Sequence, residues 1–363
     1  MRANGPADTE ADPGRPPQHH RSNSYPFMLS SRRKPRRVPL VFRFVKGAVH
    51  GTILVPVLWH AIFTTVVVVL NKFVYDRLGL PSSIIPALSI VVGLMLVFRN
   101  QTSYNRFWDG RNGVQTIHTS VRNLIRVILT NSYTTNGPPT AEEQQDIEQT
   151  VCYLMAIPYA VKNHLRAEWG AASIDPEGVY ARLPATLRSL EEDGLGLPFQ
   201  LTFFVDGFIK RGVDRGWFTA PGASQLQGQL NALTDALGKL ETIRITPIPV
   251  AYLIHQKQVL ALFGCVLPFA MVDDMGWWAI PIVTLVIFTL YGIEGIGSQL
   301  EDPFGYDRND IKMDALCFDA NIELDVVLRE WRAVVAEEST AAGEERKEPY
   351  HLPPMFHRKP LSN

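Results

Sequence analysis

The feature that most constrains this chain is an apolar run without acids or strong bases, from Gly51 to Leu70. His60 is the one titratable side chain in the run. A helix needs about 20 residues to cross the roughly 30 Å of bilayer hydrocarbon. The β-branched residues would suit a buried strand, but the run is too long for one, and in lipid only a helix or closed barrel satisfies the backbone. The run therefore predicts a transmembrane helix at about residues 49–75.

Further apolar runs predict three more spans, at about residues 82–99, 248–271 and 277–297. The second span is short and contains Pro86, Ser89 and Gly93. Small and polar residues in such a run more often face other helices or water than lipid. We therefore predict an all-α membrane protein with four transmembrane helices and a large helical cytosolic region.

Basic residues flank these spans on one side. The segment SRRKPRRVPLVFRFVKG precedes the first span, and Arg99, Arg106 and Arg111 follow the second. The basic segment alone would also suit a nuclear localisation signal, but the apolar run after it favours a cytosolic flank under the positive-inside rule. An even number of spans puts both termini on the same side, so we expect both in the cytosol. The sequence leaves open whether the membrane is the plasma membrane or that of an organelle.

The rest of the chain predicts its domain organisation. We expect a disordered basic tail at 1–38, one domain at 39–335 with cytosolic helices at 100–247 and 298–335, and a charged tail at 336–363. The net charge of -1 argues against a nucleic-acid partner. The three cysteines lack CxxC spacing, which indicates free thiols. Nucleophile, zinc-protease and phosphate-loop motifs are absent from the sequence, so nothing in it supports an enzyme.

Two patterns suggest ion conduction. Pro86, Ile90 and Leu94 recur at i, i+4 and i+8, so they lie along one face of the second span. Several copies around an axis would form a tube of apolar rings, which gates by dewetting. Ordinary core packing explains the same spacing equally well.

The second pattern is an acidic turn after the fourth span. Asp302, Asp307 and Asp310 surround a PFG sequence, in which Gly305 allows a sharp bend. Carboxylates on such a turn suit a hard cation such as calcium. The alternative is that Asp302 and Asp310 cap helices.

Two blocks of the chain resemble the bestrophin-like family of pentameric ion channels, in its bacterial, fungal and plant members. One is VFRNQTSYNRFWDGR, at residues 97–111; the other comprises TPIPVAYLIHQKQ and, further on, LEDPFGYDRNDIKMD. The resemblance covers about residues 40–330. Six residues of the first block match the family pattern: Phe98, Arg99, Tyr104, Arg106, Trp108 and Arg111.

The resemblance implies a homopentamer around a central pore, with a neck at Pro86, Ile90 and Leu94 and a deeper constriction near residues 220–230. It also implies that the acidic turn corresponds to the calcium clasp of animal members, with the backbone carbonyl of Gln299 as a further calcium ligand. Tyr306, Arg308 and Asn309 interrupt the acids here, so we expect no required cofactor and weak or no calcium dependence.

The function that the resemblance implies is passive conduction of chloride or other small anions. The expected partners are those anions, the lipid bilayer and further copies of the chain. The alternatives are a cation-conducting relative, and a non-conducting membrane scaffold or transporter.

Overall fold

A computed structural model describes residues 49–75, 77–132, 139–168, 182–184, 196–307 and 309–343. These residues form helices and no strand, which confirms the all-α fold. The predicted tail at 1–38, Arg308 and residues 344–363 lie outside the described ranges. The helices are α1 (His50–Phe73), α2 (Ile84–Asn131), α3 (Ala141–Arg166), α4 (Leu197–Asp214), α5 (Ala220–Ile245), α6 (Val250–Met275), α7 (Ala279–Leu300) and α8 (Met313–Gly343).

Three helical stretches in the described residues are long and apolar enough to cross a membrane: His50–Phe73, Ile84–Asn131 and Val250–Leu300. The third contains both α6 and α7, joined by a short 3-10 turn at Gly276–Trp278. Because α6 and α7 also pack against each other, they run antiparallel as a hairpin. Helix α6 continues to Met275 and ends at Gly276, whose φ of 51° suits glycine. The number of spans per subunit stays a prediction.

Helix α2 has 48 residues and joins the apolar, membrane-spanning part of the molecule without a break to the remaining helices, which we call the extramembrane part. At 1.5 Å per residue it is about 70 Å long. The helix passes the predicted end of the second span, at residue 99, and continues to Asn131. Two glycines allow neighbours to approach it closely: a Cβ at Gly113 would lie 2.7 Å from the Leu240 side chain, and one at Gly110 would lie 3.1 Å from the Phe304 ring.

The main hydrophobic core lies among the helices of the extramembrane part. Its central side chains come from α2, α3, α4 and α5 and are fully buried: Leu124, Ile128, Leu154, Leu201, Phe208 and Leu233. A smaller cluster joins α1, α2, α6 and α7 in the apolar part, through residues such as Val92, Leu96 and Ile287. The same α2 helix therefore contributes to both cores.

Candidate functional site

The three predicted neck residues lie on a face of α2 that the rest of the chain leaves uncovered. Pro86 is exposed, Ile90 is 70% exposed and Leu94 is 52% exposed. On the opposite face, Val92 and Leu96 are buried against α6 and α7. The spacing of Ile90 and Leu94 therefore does not reflect packing inside one chain. Their face is open to lipid, to other copies of the chain or to a pore.

The aromatic residues of the family motif continue along the exposed side of α2. Phe98, Tyr104 and Trp108 are all more than half exposed. The rings of Tyr104 and Trp108 stack with their centroids 6.4 Å apart. Within one chain these three residues form an exposed aromatic surface.

The arginines of the family motif are less exposed than its aromatic residues and contact other parts of the chain. Arg99 is 1% exposed, and its Nη2 lies 3.6 Å from both Glu294 Oε1 and Glu301 Oε2. Lys257 Nζ lies 3.8 Å from the same Glu294 oxygen. A Cβ at Gly297 would lie 3.5 Å from Arg99 Nε, so the glycine leaves room for the guanidinium. These four charged residues, Arg99, Lys257, Glu294 and Glu301, form what we call the junction cluster, where α2, α6 and α7 meet.

The hydrogen bonding of the junction cluster is incomplete. Nε and Nη1 of Arg99, and Oε1 of Glu294, have no hydrogen-bond partner in the structure. Polar groups that face each other across more than 3.5 Å are often bridged by water. Sequence analysis identified Arg99 but missed its partners. The available signal was Glu294, which is the one charged residue of α7 and lies between two glycines.

Arg106 ties two helix ends to α2. Its Nε donates to the carbonyl of Glu301 at 3.1 Å, beyond the last residue of α7. Its Nη1 and Nη2 donate to the carbonyls of Thr246 and Ile243, at the end of α5, at 2.7 Å and 2.5 Å. Carbonyls at a helix C-terminus lack partners within the helix and favour a cation nearby. Arg111 makes a more local contact, from Nη1 to Gln115 Oε1 at 3.2 Å.

In the acidic turn, the side chains predicted to bind calcium are bonded to protein groups. The carboxylate of Asp302 pairs with Arg244. Asp310 Oδ2 accepts a hydrogen bond from the backbone N–H of Asp307 at 2.7 Å. Gln299 Oε1 accepts from Asn309 Nδ2, also at 2.7 Å.

These contacts favour a structural role for the turn. The pKa of the Asp310 carboxyl is raised, mainly by burial. The hydrogen bond from the backbone of Asp307 lowers this pKa, whereas the negative charges of Asp307 and Asp302 raise it. Among the described residues, no group of three His, Cys, Asp or Glu side chains converges to hold a metal ion. The oxygens of the turn therefore contact protein groups, and weak or absent calcium dependence stays a prediction.

The predicted deeper constriction, near residues 220–230, falls on the first turns of α5. Leu226 and Leu230 are buried in the main core, whereas Gln225 and Gln227 are exposed. The exposed side of this segment is polar.

Comparisons with known proteins identify the family. The family described as "Bacterial/Fungal Bestrophin protein" matches residues 29–326. A voltage-dependent anion channel-forming protein of Synechocystis is 32% identical, over 83% of this chain and 96% of its own length. A protein of the same description from Nostoc is 35% identical, over 75% of this chain and 86% of its own.

A solved structure shares the fold. A bacterial bestrophin homolog from Klebsiella pneumoniae, solved as a variant with one mutation, superposes with a TM-score of 0.66 at 24% identity. The match covers 75% of this chain and 97% of that one. With this fold and with helices apolar enough to cross a bilayer, the protein is an integral membrane protein. The chain belongs to the bacterial and fungal bestrophin family.

Proposed function

We propose that five copies of this chain form a channel that conducts chloride and other small anions, with α2 of each copy lining the pore. The observation that carries the proposal is the exposed apolar face of α2 at Ile90 and Leu94, directly opposite the buried face of the same helix. The relatives from Synechocystis and Nostoc, which are named as anion channel-forming proteins, support it. No enzymatic step is part of the proposal.

In this arrangement Ile90 and Leu94 form two apolar rings, about 6 Å apart along the axis. An ion inside such a tube loses hydration and meets no polar partner. The neck therefore controls how easily the pore becomes wet, and with it the size of the current.

In this proposal the preference for anions over cations does not come from the apolar neck. Helix α2 begins at Ile84, two residues before Pro86. The N-terminus of a helix carries partial positive charge and free N–H groups, which favour anions. Five such ends around the pore entrance would give anion preference without a charged side chain in the neck.

The first experiment measures reversal potentials of the purified protein in planar bilayers under a potassium chloride gradient. We expect the reversal potential to lie near the chloride equilibrium potential. A value near the potassium equilibrium potential would contradict anion selectivity and indicate a cation channel. If folded, pentameric protein passes no current, the result would contradict conduction and favour a non-conducting scaffold.

The second experiment tests the neck. We expect the double variant Ile90→Ala/Leu94→Ala to keep its assembly and to pass larger single-channel currents, because the rings widen and become wet. The matched control is Val92→Ala/Leu96→Ala on the buried face of the same helix segment. Its large-to-small changes leave cavities, with a cost of about 2–5 kcal/mol for Leu96, so it should lose stability without a gain in current. If both variants change stability and current in the same way, Ile90 and Leu94 do not line the pore.

The assembly is tested by mass measurement in detergent. We expect a single species of five subunits at micromolar protein concentration. A monomer as the only species would contradict a pore that needs α2 from several copies.

We further expect the current to be independent of calcium, because the carboxylate of Asp302 pairs with Arg244 and that of Asp310 holds the turn. Current is compared in excess chelator and in micromolar free calcium. Strong activation by calcium, abolished in Asp302→Ala, would show that the turn rearranges to bind the ion.

A further inference from the structure

The junction cluster holds its four charges in an arrangement that completes none of the possible hydrogen bonds between them. Arg99 Nη2 lies 3.6 Å from Glu294 Oε1 and 3.6 Å from Glu301 Oε2. Lys257 Nζ lies 3.8 Å from the same Glu294 oxygen. A charge-assisted hydrogen bond between nitrogen and oxygen is about 2.7–2.9 Å long. The Arg99 guanidinium therefore lies between two carboxylates and is hydrogen-bonded to neither.

Two pairings would complete the bonding of Arg99. In what we call the inner pairing, Arg99 bonds Glu294, while Glu301 and the exposed Lys257 are hydrated. In what we call the outer pairing, Arg99 bonds Glu301 and Lys257 bonds Glu294. The outer pairing joins all four charges, but it orders a lysine side chain, which costs conformational entropy. A shift of the guanidinium by about 1 Å is enough to complete either pairing.

The next arginine of the motif holds α2 much more firmly. Arg106 donates three hydrogen bonds of 2.5–3.1 Å to carbonyls at the ends of α5 and α7. Close to Arg99, by contrast, Asn100 Nδ2 reaches α7 through one neutral hydrogen bond, to the carbonyl of Ile293 at 3.2 Å. A change of pairing at Arg99 should therefore move the spanning half of α2 and leave the half beyond Arg106 in place.

The spanning half of α2 carries the predicted neck. Leu94 precedes Arg99 by five residues, about 7 Å along one unbroken helix. Ile90 precedes Arg99 by nine residues, which places the two on opposite sides of the helix. Glu294 and Glu301 are seven residues apart, so they draw the guanidinium in different directions along α7. A change between the two pairings therefore changes the position of Ile90 and Leu94.

We propose that the junction cluster is a two-position latch, in which Arg99 exchanges between Glu294 and Glu301 and thereby positions Ile90 and Leu94. Arg99 is a positioning residue in this role, because it acts on the neck through α2. The inference rests on the proposed function, since it assigns the latch to the neck of a conducting pore.

The latch predicts effects of opposite sign from neutral substitutions in one cluster. Glu294→Gln leaves Glu301 as the carboxylate for Arg99 and favours the outer pairing. Glu301→Gln favours the inner pairing, and so does Lys257→Gln, which removes the cation that competes for Glu294. In single-channel records, the ratio of open to closed time should change about fivefold in one direction for Glu294→Gln and about fivefold in the other for Glu301→Gln and Lys257→Gln. The conductance of the open channel should stay unchanged.

The matched control is Glu148→Gln, which breaks the exposed ion pair between Glu148 and Arg332 in the extramembrane part. It should leave the ratio of open to closed time unchanged. Melting temperatures of all four variants separate the latch from a purely structural role. Shifts of the same sign in the three cluster variants, in step with their loss of stability, would overturn the latch.

Electron cryo-microscopy of Glu294→Gln and Glu301→Gln tests the same exchange without current. We expect Arg99 within about 3 Å of Glu301 in the first variant and of Glu294 in the second, with Ile90 and Leu94 displaced between them. Arg99 in the same position in both variants would overturn the latch. Structures that show the exchange, together with parent protein that passes no current, would contradict the proposed function and support the exchange itself.

Discussion

The extramembrane and the membrane-spanning parts of this chain are both helical and both rich in apolar residues, but they use those residues differently. In the extramembrane part, side chains such as Leu124 and Phe208 are fully buried within the chain. In the spanning part, Val55 is 73% exposed and Leu262 is 63% exposed. Large exposed apolar faces indicate contact with another partner, here lipid or further subunits. The extramembrane part therefore completes its core within one chain, whereas the apolar faces of the spanning part are covered by lipid or other subunits.

The junction cluster lies at the border between these two parts and belongs to neither type. Arg99 is buried like a core residue, yet its neighbours are the carboxylates of Glu294 and Glu301. It comes directly after Phe98, the last apolar residue of the spanning half of α2. Substitutions in the extramembrane part, in the spanning part or in the junction cluster test this comparison, and they are ordered from the largest expected effect to the smallest.

The largest effect is expected at the border. Replacing Arg99 with methionine leaves Glu301 without its cation and Glu294 with only Lys257. Breaking a buried ion pair in this way typically costs about 3–5 kcal/mol. The free energy of unfolding is measured by denaturant titration in detergent. Adding Glu294→Gln should restore part of the loss, because the two residues interact directly.

The control for this prediction is Arg332→Met, which breaks the exposed pair between Arg332 and Glu148. Exposed pairs contribute about 1 kcal/mol or less. Equal losses for Arg99→Met and Arg332→Met would mean that the junction cluster adds no more to stability than a surface ion pair.

The second prediction compares a buried leucine of the extramembrane part with an exposed leucine of the spanning part. Leu124→Ala should cost about 2–5 kcal/mol, because it leaves a cavity in the main core. Leu262→Ala should change the stability in detergent by about 0.5 kcal/mol or less. Melting temperatures of both variants check the contrast, and a comparable drop in both would show that the face of α6 at Leu262 is buried in the assembly.

The third prediction concerns the start of α3, in the extramembrane part. Thr140 Oγ1 accepts from the backbone N–H of Glu143 at 3.4 Å, and the Glu143 carboxylate accepts from the backbone N–H of Thr140 at 2.8 Å. Such a reciprocal cap loses about 1 kcal/mol when the threonine becomes alanine. Thr116→Ala is the control, because its hydroxyl bonds only a carbonyl of its own helix. Thermal unfolding should separate the two variants, and an unchanged melting temperature for Thr140→Ala would contradict the cap.

The smallest effect is expected where α3 meets the end of α4. Burial raises the pKa of the Asp146 carboxyl, but the hydrogen bonds from Arg211 and Arg215 outweigh it, so the pKa is lowered. A lowered pKa stabilises the fold above the unfolded value of about 3.9 and loses that contribution as the pH falls through the folded value.

Asp146→Asn should therefore destabilise by about 1 kcal/mol or less at neutral pH, as expected for a partly exposed ion pair. The gap in stability between parent and variant should close below about pH 4. Melting temperatures across the acid range measure this gap. A gap that widens on acidification would mean that the carboxyl is protonated more easily in the folded state.

The sequence predicted much of the fold for a local reason. A long apolar run must form a helix in lipid, and this placed α1 and the α6–α7 hairpin close to their observed bounds. The segment from Ala87 to Asn131 contains no proline, which permits one continuous helix, as α2 is. The spacing of Pro86, Ile90 and Leu94 also predicted one shared helical face.

Residue spacing could not predict which motif residues are buried. Arg99 and Trp108 lie in the same motif block of the sequence, yet one is buried and the other is exposed. The difference depends on what α6 and α7 bring to each side of α2. The carboxylates at Arg99 come from positions about 200 residues further along the chain, and no local pattern pairs them with it.

The acidic turn shows the same division between the two sources of information. Its composition alone allowed either a cation site or capping, because carboxylates suit both. Only the tertiary structure brings Arg244, from the end of α5, against Asp302 and closes Asp310 onto the backbone of Asp307. Hydropathy and helical period are properties of neighbouring residues, so the sequence by itself determined the helices and their medium. Ion pairs and burial depend on residues far apart in the chain, and for that reason only the tertiary structure decided what each charged side chain does.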